Sequence, residues 1–96
     1  GTWRGDFGGY GGGTRTVPVL VSADGTVTYD GTVVFEGASY DVEKGRITAT
    51  FEKDDTTYTI TLTWDPAEDS ISAKYVVETT DQSYPHECKA LIRQNA

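Results

Sequence analysis

The chain has 96 residues, enough for one domain spanning 1–96. The hydrophobic set is 36% of it, and the 11 Gly bring the apolar share to that of ordinary globular domains, which argues against disorder. Eight Lys and Arg against 15 Asp and Glu leave a net charge of −7, so nothing draws the chain electrostatically to nucleic-acid phosphates or anionic membranes, and no apolar run is long enough to span a bilayer.

Thr (15), Val (9), Tyr (6) and Ile (4) dominate, and these branched or flat side chains suit a pleated surface. Apolar residues recur with period two and never with a sustained period of 3.6. Taken in chain order, the first predicted strand covers 2–7. A Gly-rich connection, Gly8 to Gly13, follows and carries Tyr10. The second strand, 15–22, places Val17, Val19 and Val21 on one face. Asp24-Gly25 and Asp30-Gly31 are dipeptides suited to tight turns with positive φ. The first precedes a segment read as one strand over 26–35, and the close spacing of the second makes it a bulge within that strand. A strand over 38–43 precedes the Glu43-Lys44-Gly45 turn. Next come 46–53, with Ile47, Ala49 and Phe51 facing inward, and 57–64, where Thr57, Thr59, Thr61 and Thr63 alternate with Tyr58, Ile60, Leu62 and Trp64. Segment 70–78 turns Ile71, Ala73, Tyr75 and Val77 inward. A loop from Thr79 to Pro85 leads to a last strand over 87–94, whose inward row reads Cys88, Ala90 and Ile92.

About eight strands with a turn every ~12 residues predict an all-β domain, and short links favour a meander in which neighbours in sequence pair. The expected fold is a small antiparallel up-and-down barrel, with a two-sheet β-sandwich as the alternative. An eight-stranded barrel just holds side chains or one small ligand.

Gly1-Thr2-Trp3 opens the first strand and Arg93 lies in the last. The pattern resembles the calycin superfamily, which includes lipocalins, fatty-acid-binding proteins and avidins. The resemblance implies that Trp3 packs at the closed end of the barrel and that Arg93 covers its indole, joining the first strand to the last. A guanidinium over Trp gains ~0.5–2 kcal/mol, depending on exposure.

Chemistry-bearing residues are sparse. His86-Glu87-Cys88 unites the only histidine with the only thiol, and i, i+2 spacing on a strand puts the two on one face. No orienting residue accompanies them, so Cys88 reads as a small core residue and His86 as a polar group at a loop end. One Cys excludes an intrachain disulfide. One His and one Cys fall short of a zinc site, and the acidic turns at Asp54-Asp55 and Asp65, Glu68, Asp69 match no calcium-loop spacing, so no metal or cofactor is expected. Arg4-Gly5-Asp6 spells an integrin-recognition tripeptide, but it falls within a predicted strand.

The aromatic residues carry the functional expectation. Tyr29, Tyr58, Trp64 and Tyr75 lie on apolar rows, and Trp64, Tyr10 and Tyr84 are expected to share a rim suited to stacking on a sugar or capping an apolar ligand. The reading is a non-enzymatic protein that takes a small apolar or aromatic ligand at the barrel's open end. The ligand-binding set is Tyr10, Tyr29, Tyr58, Trp64, Tyr75 and Tyr84. Its rivals are a protein–protein interaction module (an inhibitor, immunity factor or effector) and a carbohydrate-binding module using the rim aromatics. The lack of Met and the start at Gly1 suggest a processed chain, with a secreted or periplasmic setting as the expectation.

Overall fold

A computed structural model describes residues 2–9, 14–22, 24–41 and 43–94. The protein is all-β: among the described residues, nine antiparallel strands form one curled sheet, a half-barrel. They are β1 (Thr2–Gly9), β2 (Thr14–Val21), β3 (Val27–Tyr29), β4 (Val33–Phe35), β5 (Ser39–Asp41), β6 (Arg46–Lys53), β7 (Thr56–Asp65), β8 (Ser70–Glu78) and β9 (Ser83–Arg93). Among the described residues no helix is long and apolar enough to cross a membrane.

The strand order is β4-β3-β2-β1-β9-β8-β7-β6-β5. The first and last strands therefore lie side by side at the centre, and a single sheet replaces the two-sheet alternative. The edges are β4 and β5, which follow one another in the chain. Their link, Glu36 to Ala38, does not fold back as a hairpin, because the Ala38 N–H donates to the Gly25 carbonyl at 3.0 Å and draws the chain toward the β2–β3 turn. A seam without ladder hydrogen bonds results, and it is closed in its middle by the Phe35 ring against Phe51, 5.1 Å between centroids.

Two expectations need correction here. The segment 26–35 is not one strand with a bulge. Asp30 (φ 58°) and Gly31 (φ 70°) are both left-handed, which reverses the chain and pairs Val27, Thr28 and Tyr29 with Phe35, Val34 and Val33. The inward row of the last strand is also different. Between Ala73↔Cys88 and Ile71↔Leu91 the β9 side holds one residue more than β8, a β-bulge. The bulge shifts the alternation, so Cys88 and Leu91 are both buried while Ala90 and Ile92 face solvent. The predicted loop 79–85 contracts to a turn over 79–82, closed by Thr79 N–H to the Gln82 carbonyl at 2.8 Å, with Glu78 opposite Ser83.

The other inward rows lie as the period-two pattern places them. Val17, Val19, Ala49, Ile60, Leu62, Ile71, Ala73 and Tyr75 are buried, while Val21, Ile47, Phe51, Tyr58, Trp64 and Val77 are half-buried against them.

Candidate functional site

The register sorts the aromatics to two ends. At one, Trp3 on β1 pairs with Arg93 on β9, whose guanidinium carbon stands 4.8 Å from the ring centroid. Trp64 joins them, with its ring edge-on to Trp3 at 6.3 Å and 70°. The backbone N–H of Trp64 donates to the Gly45 carbonyl at 2.8 Å, which holds the end of the β5–β6 turn beside this residue. Tyr84 lies opposite Val77, in the same cross-strand row as Tyr58, at the other end of the sheet. Its hydroxyl pairs with Gln82 Oε1. Trp64 and Tyr84 therefore do not form one rim, which corrects that expectation. The third member, Tyr10, and the rest of the Gly-rich connection from 11 to 13 lie outside the described residues.

Inside, the rings form a connected chain. Phe7 meets Tyr29 edge-on at 5.2 Å, Tyr29 stacks on Tyr75 at 4.0 Å, Phe35 touches both Tyr75 (6.3 Å) and Phe51, and Phe51 stacks on Tyr58 at 4.7 Å. Tyr29 and Tyr75 turn their faces to each other in the core, which is the packing role of large aromatics. Burial raises the pKa of both phenols, that of Tyr75 to about 12, with Tyr29, Tyr58 and Asp30 adding to it. For Tyr29 the nearby Arg15 opposes the rise; that guanidinium is paired with Asp30 at 2.5 Å and its own pKa is raised by that contact. Tyr58 is the half-buried end of the chain of rings. With Thr32, Val33, Val34, Phe51 and Lys53 it lines a notch of about 200 Å³.

His86 packs edge-on to Tyr75 at 5.6 Å, and its Nδ1 is buried without a hydrogen-bond partner among the described residues. Burial, then Arg15, lowers its pKa. Burial raises that of the Cys88 thiol, and a backbone hydrogen bond from Ala90 only partly offsets this. Both shifts favour the uncharged forms, the opposite of the thiolate–imidazolium state of an activated cysteine. Among the described residues no three His, Cys, Asp or Glu gather to hold a metal ion. Arg4-Gly5-Asp6 is part of β1, where Asp6 accepts a hydrogen bond from the Thr16 hydroxyl at 2.5 Å.

Among the described residues the seam holds a concave, largely apolar surface. Beyond the Phe35 plug, Val21, Ser22, Gly25 and Val27 face Ala38, Tyr40 and Ile47 across a groove of about 400 Å³. Gly25 is left-handed (φ 90°), so the β2–β3 turn stays tight, and its carbonyl holds Ala38 on the floor. Tyr40 is 61% exposed on the three-residue edge strand β5, although it lies opposite the inward-facing Ile47. Reading the sequence for strong apolar rows missed Tyr40. A lone aromatic between Ser39 and Asp41, with glycines at 37 and 45, is a short edge strand in which one ring faces a gap, and that was the available signal.

Compared with protein-family models, with curated proteins and with solved structures, the chain has no match in any of the three.

Proposed function

We propose that this chain is a non-enzymatic binding protein for a small apolar or aromatic ligand, seated in the seam groove of Val21, Val27, Ala38, Tyr40 and Ile47. One observation carries the reading. The groove measures about 400 Å³, within the usual size range of small-molecule sites, and its walls are mostly aliphatic with one exposed aromatic ring. The uncharged His86 and buried Cys88 support binding over catalysis. Arg93 over Trp3, where the first strand meets the last, supports the calycin likeness within the same reading. The test is N-phenyl-1-naphthylamine fluorescence. Enhancement on binding should disappear in Ile47→Lys, which puts a charge in the groove wall, and survive in Val34→Lys. Undiminished enhancement in Ile47→Lys would end the proposal.

A second reading, a protein-interaction module, has its own observation. Val34, Leu20 and Ile92 are exposed at 48%, 44% and 61%. Leu20 lies opposite Thr28, Thr28 opposite Val34, and Ile92 opposite Arg4, two pairs along from Thr2↔Leu20 and so on the same face. This sparse aliphatic row crosses the outer face of five strands, a surface suited to covering by another protein. Sedimentation velocity at increasing concentration checks self-association through it. Leu20→Glu/Ile92→Glu should abolish any dimer, and a dimer that persists would assign association to another face.

A further inference from the structure

The chain around the groove carries more acids than cations. None of its seven lining residues is ionisable below the tyrosine range. Just outside them in the chain stand Asp24 beside Gly25, Glu36 two residues before Ala38, Asp41 beside Tyr40, and Glu43. Asp24 accepts the Thr26 N–H at 3.1 Å and Asp41 the Lys44 N–H at 3.2 Å, which holds both carboxylates at the turns that frame the groove. None of the four is in an ion pair. Among the described residues the ion pairs are Arg15–Asp30 and Lys74–Glu87, both on other parts of the sheet. Asp41 and Arg46 are cross-strand partners on the face opposite Tyr40 and Ile47 and offset each other there, which leaves Lys44 as the one cation in this stretch against Asp24, Glu36 and Glu43. Tyr40 adds an exposed ring face, which attracts a cation through its quadrupole.

We infer that the groove selects cationic amphiphiles: compact apolar bodies carrying one protonated amine, with the body between Val21, Ala38 and Ile47 and the ammonium toward the acidic rim and Tyr40. This rests on the reading of the groove as the binding site and adds the charge of the ligand to it. The physical reason is complementarity. Apolar walls take the body whatever its charge, whereas the carboxylates and the chain's net charge of −7 favour an ammonium head and repel a carboxylate.

Three probes with one body separate the two claims: 1-adamantanamine, 1-adamantanol and adamantane-1-carboxylate at pH 7. Their affinities are measured by calorimetry and by amide shifts at Tyr40 and Ile47. The amine is expected to bind ~3–10-fold more tightly than the alcohol, with the carboxylate weakest, from charge interactions at near-surface dielectric. The gap should close in ~1 M salt, where the screening length is about 3 Å. In Asp24→Asn/Glu36→Gln the amine should fall toward the alcohol. Equal affinity of all three, or preference for the carboxylate, overturns the charge inference and leaves the groove as a site. If none of the three shifts Tyr40 or Ile47, the groove reading fails and the inference with it.

Discussion

Gly5 on β1 faces the Cys88 thiol so closely that a Cβ at residue 5 would lie 2.5 Å from Sγ, and also 2.8 Å from Leu91 Cδ2 and 3.0 Å from the Ala90 carbonyl. The β9 bulge causes this. It turns Cys88 and Leu91 inward together, so two side chains occupy the space that a regular strand would share with an inward residue of β1. Glycine weakens a strand in isolation, yet here only a hydrogen fits. Gly5→Ala is expected to lower stability by about 2–3 kcal/mol through overpacking against side chains and a backbone oxygen. Urea unfolding checks it, and Gly5→Ala/Cys88→Ala should recover part of the loss by removing the closest atom. Additive effects of the two changes would show that the contact is not what limits residue 5.

Arg93 over Trp3 connects β1 to β9, the pair that joins the two halves of the sheet. The guanidinium is solvent-exposed, so Arg93→Ala should cost about 0.5–1 kcal/mol. Trp3→Ala, which empties a buried indole site, should cost about 3–5 kcal/mol. Chemical denaturation of both variants measures the ratio. An Arg93→Ala loss as large as that of Trp3→Ala would mean that the arginine does more than cover the ring.

Asp54 (φ 52°) and Asp55 (φ 62°) form the two-residue turn between Lys53 and Thr56, both in the left-handed region. Aspartate tolerates that region, but Asn and Gly suit such a turn better. Asp54→Asn/Asp55→Gly should stabilise the fold by about 1 kcal/mol, visible as a higher thermal midpoint. A lower midpoint would indicate that one of these carboxylates is itself stabilising.

Tyr75 is uncharged when protonated. Its folded-state pKa, pushed up to about 12 chiefly by burial, stands above the ordinary value of 10. The folded state therefore holds the proton more tightly than the unfolded chain. The associated stability is complete below pH 10 and is lost as pH rises from 10 toward 12, by about 2 kcal/mol. Tyr29 is shifted in the same direction and adds to the loss. Urea midpoints between pH 8 and pH 11.5 should fall less steeply in Tyr75→Phe, and least in Tyr29→Phe/Tyr75→Phe. An unchanged slope in the double variant would place the alkaline sensitivity elsewhere.

His86 runs the other way. Burial lowers its pKa below the ordinary 6.5, so the folded state favours the neutral ring and stability declines as pH falls below about 6.5. The midpoint at pH 5 relative to pH 7 should be less depressed in His86→Gln than in the parent. An equal depression would assign the acid sensitivity to the carboxylates alone.

Much of the fold was legible because period-two alternation is a local property. The row Tyr58, Ile60, Leu62, Trp64 needs only its own backbone to place all four on one face. Asp24-Gly25 was readable as a turn for the same reason, whereas the Trp3–Arg93 contact was an implication of the calycin resemblance and Asp30-Gly31, read as a bulge, closes a hairpin. The candidate site was much less legible. Tyr29 and Tyr75 read as ligand contacts because a period-two row shows which face a ring takes, not whether a second ring covers it. Trp64 and Tyr84 read as one rim because strand ends look alike in sequence until register assigns them to opposite ends of the sheet.

The amino-acid sequence alone determined the β-class, the inward faces of the central strands, the net negative charge and the exclusion of an intrachain disulfide. All of these follow from side-chain chemistry and neighbours one or two residues away. Only the tertiary structure decided where the sheet opens, which strand carries the bulge and which aromatics are covered. A single hydrogen bond from Ala38 to Gly25, thirteen residues apart in the chain, diverts β5 from β4 and leaves the groove beside Tyr40. One extra residue in β9 moves Leu91 inward and requires glycine at position 5. Such outcomes depend on competition among distant backbone partners, and no local pattern records which partner wins.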